Sequence, residues 1–155
     1  MKKILLFATV LFATALGFTA CSDDDTETSS YNIASNQGAA VAQTYSGVWT
    51  RTLGDEVVTS AGTITLEGTE ESHVVKVTIA ANSDVALEES TFNANISQKS
   101  NTRFGITLAA NFDAFLTTTG FRIIVDNGAI EGCDFIKSVK VGRKNNEYFY
   151  NFRSN

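Results

Sequence analysis

Three pairs of adjacent carboxylates, Asp55-Glu56, Glu70-Glu71 and Glu88-Glu89, come nearest to a reactive set in this chain. Glycoside hydrolysis needs two carboxyls flanking one bond at a set separation. Adjacent residues on a strand point to opposite faces, and each pair falls at a turn or strand end, so solvated turn carboxylates explain them better. The one histidine, His73, follows Ser72, but no acid stands at a triad spacing and Gly-x-Ser-x-Gly is absent. A single imidazole excludes a His-rich metal site, and His73 is expected at the surface. Asp126-Asn127-Gly128 followed by Glu131 offers oxygen ligands for calcium without the spacing of a recognised loop; a hairpin turn accounts for it more simply. Cys133, between Gly132 and Asp134, reads as a buried small hydrophobe rather than a nucleophile. With no catalytic set, metal site or cofactor motif, the chain is expected not to be an enzyme.

Aromatic residues leave a different option open. Tyr148, Tyr150 and Phe152 alternate along one face of a C-terminal segment, while Phe149 and Asn151 take the other. Such a stripe is ordinarily core; its functional alternative is a platform for stacking on sugar rings or for an apolar ligand. Trp49 poses the same choice.

Strands must position these groups. Val75, Val77 and Ile79 alternate with Lys76 and Thr78; Phe92, Ala94 and Ile96 with Asn93, Asn95 and Ser97; Phe104, Ile106 and Leu108 with Gly105 and Thr107. Period two in β-branched and aromatic residues marks strands with one buried face. Expected strands are 45–52, 56–66, 73–81, 91–98, 103–110, 120–126, 129–141 with a break near Gly132, and 147–153. Turn signals separate them at 53–55, 67–69, 99–101, 126–128 and 143–146. Asn127-Gly128 is the strongest, because both residues tolerate the positive φ of a two-residue hairpin. Phe112, Phe115 and Leu116 break the alternation with helical spacing, which predicts a turn or two of helix over 111–117. About eight sequential antiparallel strands imply an all-β domain, with a barrel preferred to a β-sandwich because closure removes edges.

Upstream, Lys2 and Lys3 precede an apolar run from Ile4 to Leu16, the length and polarity of a secretory signal and too short to span a membrane. Phe18-Thr19-Ala20-Cys21 then resembles the lipobox of bacterial lipoprotein signal peptides, with Phe18 in the usual leucine position. The resemblance implies cleavage before Cys21 and a lipid-modified, palmitate-bearing Cys21 anchoring the chain to a membrane. Ser22, Asp23, Asp24 and Asp25 are similar to the export signal of surface lipoproteins of the Bacteroidota kind, which implies the outer membrane and the cell surface. Three segments follow: a signal peptide over 1–20, an acidic Ser/Thr/Asp-rich tether over 21–43 with a short ordered turn near 38–43, and a barrel-like domain over 44–155.

Cleavage would remove two lysines and take the formal net charge from −5 to about −7. Nucleic acid is not an expected partner, since binding it needs a basic face. A lipidated Cys21 would also leave Cys133 without a partner. Gly47-Val48-Trp49 resembles the Gly-x-Trp motif that opens lipocalin and calycin barrels, and Tyr45-Ser46-Gly47 the Tyr-x-Gly strand of calycin-like lipoproteins. That likeness implies Trp49 at a closed barrel end against an arginine, Arg153 or Arg143. The expected function is a lipid-anchored, non-enzymatic module binding an apolar small molecule or a glycan; the alternative is an accessory protein of an outer-membrane complex.

Overall fold

The computed structural model describes residues 31–108 and 120–155. The signal segment, Cys21 to Asp25 and the helix expected over 111–117 lie outside the described residues. The chain divides into two units, Met1–Asn32 and Ile33–Asn155, and the architecture is that of the second.

Eight antiparallel strands follow one another around a single sheet: β1 (Gln43–Leu53), β2 (Glu56–Gly68), β3 (Val74–Ile79), β4 (Ser90–Gln98), β5 (Arg103–Thr107), β6 (Arg122–Asp126), β7 (Ala129–Val141) and β8 (Lys144–Ser154). β1 pairs with β8 from Gly47↔Ser154 to Thr52↔Phe149, so the sheet closes on itself as an up-and-down barrel. That closure excludes the sandwich. Inward phases are mainly apolar, with Ser90 and Gln98 the buried polar positions of β4: Trp49, Ile64, Val75, Phe92, Ile106, Ile123, Phe135 and Phe152 are all buried. The period-two pattern of the sequence is therefore the inside-outside alternation of the barrel wall.

Turn chemistry sets the hairpins. Asn127 (φ 48°) and Gly128 (φ 76°) both adopt positive φ, as a type I′ turn requires. The β7–β8 turn differs from expectation: Gly142 (φ 64°) and Arg143 make it, and Asn145 and Asn146 already pair in β8. β7 is continuous rather than broken. Ile124 pairs with Gly132 and Val125 with Ile130, so Glu131 is an extra residue, a bulge that keeps Ile130 and Cys133 both inward.

Each barrel end has its own cover. At one end, helix α1 (Gln37–Ala40) is capped by Asn36, whose Oδ1 accepts from the Ala39 N–H at 2.9 Å. The Gln37 side chain accepts from the Gln98 N–H (2.7 Å), its own N–H donates to Ser72 O (2.8 Å), and Val41 is buried. At the opposite end the β3–β4 loop carries a turn of 3-10 helix, Ser83–Val85, with Val85 and Leu87 buried. Beyond that loop β7 and β8 continue as a two-stranded hairpin. Their register runs out to Val141↔Lys144, whereas β1 pairs with β8 no further than Phe149.

Candidate ligand-binding rim

Trp49 organises the interior. Its ring is fully buried and meets Phe152 at 4.9 Å, Phe135 at 5.8 Å and Tyr150 at 6.4 Å between centroids. Phe135 stacks on Tyr150 at 4.9 Å. Two glycines make room for this cluster. A Cβ at Gly62 would enter the Trp49 indole, and one at Gly47 would enter the Arg153 carbonyl of β8. The Gly-x-Trp spacing thus has a local cause: Gly47 lets β8 close against β1 two residues before the indole. The indole Nε1 finds no acceptor among the described residues.

Neither of the arginines expected beside Trp49 takes that place. Arg153 follows the inward Phe152 and is exposed on the outer face, and Arg143 sits in the β7–β8 turn. Neither stands over Trp49. The stacked guanidinium is Arg51, 5.1 Å from the Tyr148 ring centroid and paired with Glu56 at 2.8 Å.

β8 therefore divides its aromatic stripe by depth. Phe152 and Tyr150 are fully buried, and the Tyr150 hydroxyl donates to Val85 O at 2.9 Å, which ties the covering loop to the wall. Burial raises the Tyr150 pKa, so the phenol stays a neutral donor. Tyr148, two residues further out, is only half-buried. Around it the register sets Lys137 opposite Tyr148, Asn146 opposite Val139, and Val58 opposite Arg51. The rim so formed holds an aromatic face, an amide, two cations and aliphatic flanks. Such groups can stack on a sugar ring, bond its hydroxyls and exclude water from one side.

All six paired carboxylates are exposed, and His73 is exposed at the start of β3 with Ser72 Oγ 3.4 Å from its Nδ1. Cys133 is fully buried, and burial pushes its thiol well above the usual range, which leaves it unreactive. Asp126 and Glu131 do come together, but on an arginine: Arg103 Nη1 lies 2.9 Å from each. A depression of about 340 Å³ opens on the outer wall around Gly105. Its Arg103 and Arg122 are both committed to carboxylates, Arg122 to Asp134 at 3.0 Å.

The Asp126 cluster gives a pH prediction. The Thr102 hydroxyl at 2.7 Å, then Arg103, holds the Asp126 carboxyl below its ordinary value. A depressed carboxyl contributes stability above its unfolded pKa and loses it as pH falls through the folded one. The denaturation midpoint of Asp126→Asn is therefore expected below wild type at neutral pH, with the gap closing in acid. A gap independent of pH would show that the charge is not what Asp126 contributes.

Arg51 and the rim cations were not singled out in the sequence. Arg51 shares the inward phase of Trp49 and Leu53, and that spacing is the signal that finds it. Comparison with protein families, curated proteins and solved structures finds no match for this chain.

Proposed function

We propose that this chain is a lipid-anchored, non-enzymatic binding module of the bacterial outer membrane, held through Cys21 and taking its ligand at the rim around Tyr148. The observation that carries the reading is the contrast along β8. Tyr150 and Phe152 fill the barrel with Trp49, while Tyr148 keeps exposed surface beneath the Arg51 guanidinium. A barrel whose middle is filled has its rim to bind with, and the rim chemistry suits a glycan better than a wholly apolar molecule. The acidic run Ser22 to Asp25 supports placement on the outer leaflet.

Titration calorimetry with cellohexaose and maltoheptaose, beside N-phenyl-1-naphthylamine as an apolar probe, tests the reading. Binding of an oligosaccharide is expected, and Tyr148→Ala should weaken it roughly tenfold, the effect of losing about 1.4 kcal/mol of stacking. Heat from the apolar probe alone would keep a binding module but change its ligand. No heat from either class would overturn the rim.

One observation favours the accessory-protein reading. The outer row Val57, Thr52, Phe149 and Ile136 crosses four strands at the same end, with Val57 60% and Phe149 44% exposed. Solvent-facing apolar side chains in one row suit a protein contact. Loss of a co-purifying subunit in Val57→Ser/Phe149→Ser, with saccharide binding absent throughout, would establish that reading.

A further inference from the structure

The outer part of the β7–β8 hairpin carries a charge opposite to that of the molecule. The chain as a whole has 12 Lys and Arg against 17 Asp and Glu. Yet Lys137, Lys140, Arg143 and Lys144 fall within eight residues, and Glu147 is the nearest acid in the hairpin. Lys140, Arg143 and Lys144 are exposed and join none of the ion pairs among the described residues. From Phe149 outward the hairpin projects about five residues, roughly 17 Å, beyond its pairing with β1. Projection takes these cations away from the acidic barrel wall, whose field would otherwise offset theirs.

We propose that this tip binds an acidic saccharide chain, one bearing carboxylate or sulfate groups, that continues from the rim around Tyr148. The proposal rests on the glycan reading of that rim and adds the charge of its ligand. Alternation divides the work: Lys137, Lys144, Asn146 and Tyr148 share the rim-facing side, and Lys140 the outer side. A chain lying along the hairpin meets an aromatic face and an amide first, then cations spaced along a strand. A phosphatidylglycerol headgroup, being acyclic, offers no ring for Tyr148 to stack on. The tip also lies at the barrel end opposite α1.

Retention of the full-length protein on immobilised polygalacturonate, with dextran as the neutral control, is the test. Retention is expected at 50 mM salt and should weaken roughly tenfold by 200 mM, because the contact releases counterions. The triple variant Lys140→Gln/Arg143→Gln/Lys144→Gln should lose it, with unchanged Trp49 emission showing an intact barrel. Lys140→Arg/Lys144→Arg should keep it. No retention, or full retention by the triple variant, overturns the proposal. So does equal competition, per charge, by dihexanoylphosphatidylglycerol, which would assign the cations to a lipid. The two readings fail separately. Neutral oligosaccharide binding lost in Tyr148→Ala, with no polygalacturonate retention, keeps the rim and removes the anion; retention indifferent to Tyr148→Ala but lost in the triple variant keeps the anion and removes the rim.

Discussion

Trp49→Ala is expected to destabilise the domain by about 3 to 5 kcal/mol, the range for deleting a fully buried large aromatic. The Trp49 ring is the hub of the aromatic cluster inside the barrel. It is fully buried and makes edge or tilted contacts with Phe135 on β7 and with Tyr150 and Phe152 on β8, the strand that closes the sheet against β1. Aromatic pairs add about 0.5 to 1.5 kcal/mol each beyond the area they bury. Against this, the indole Nε1 has no acceptor among the described residues, so its removal also removes a donor buried at a cost. The packing loss is the larger quantity, and a domain of ordinary stability, roughly 5 to 15 kcal/mol, would be left marginal. Because Trp49 is the one tryptophan, its emission reports this site alone. Emission should be blue-shifted and shielded from acrylamide in wild type. Gly62→Ala is the companion variant, since the added methyl enters the space of the indole; it should cost about 1 to 3 kcal/mol and move the emission to the red. A Trp49→Ala protein with wild-type denaturation midpoint, or a quenchable wild-type indole, would take Trp49 out of the core.

Much of this barrel was legible because its rules are local. Inward and outward residues alternate through β3, β4 and β5 without exception, and a one-residue slip would expose every one of their buried side chains. Asn127-Gly128 marked its hairpin for the same reason: positive φ at two successive positions is affordable to few residue pairs. The β7–β8 turn was misplaced by two residues, since a polar run from Arg143 to Asn146 hides the Gly142 whose φ makes the turn. The bulge at Glu131 showed only as an interruption, because an extra residue in one strand is defined by its partner strand.

The site was less legible than the fold. Position along β8 decides whether an aromatic is core or contact, and the stripe Tyr148, Tyr150, Phe152 is uniform in sequence. Among the described residues, the height at which β1 and the β3–β4 loop stop separates Tyr148 from the others. Arg51 was missed for a related reason. Its ring partner is 97 positions away, and pairing across the β1–β8 seam brings the two strands together. The lipocalin likeness implied Arg153 or Arg143 as the partner of Trp49, but Arg153 has the outward phase and Arg143 lies in the β7–β8 turn. Phase outranks proximity in sequence.

Cys21→Ser should move the protein from the detergent-rich membrane fraction to the soluble one, or leave it unprocessed, and this is the largest change expected of any single substitution here. Lys2 and Lys3, the apolar run to Leu16 and the small residues Thr19 and Ala20 before Cys21 are the features that lead to this expectation. Each acyl methylene buried in a bilayer contributes about 0.8 kcal/mol, so one chain holds weakly while two or more on one residue hold for the life of the protein. Among the described residues, no helix is long and apolar enough to cross a membrane. Wild type treated as intact cells with protease should then shed the β domain, and replacing Asp23, Asp24 and Asp25 by Ala should protect it by retaining it on the inner side. Equal shedding of the two would reduce the acidic run to a spacer. Partition of Cys21→Ser with membranes as in wild type would show that something other than Cys21 holds the protein there, and the exposed row of Val57 and Phe149 would be the first place to look for it.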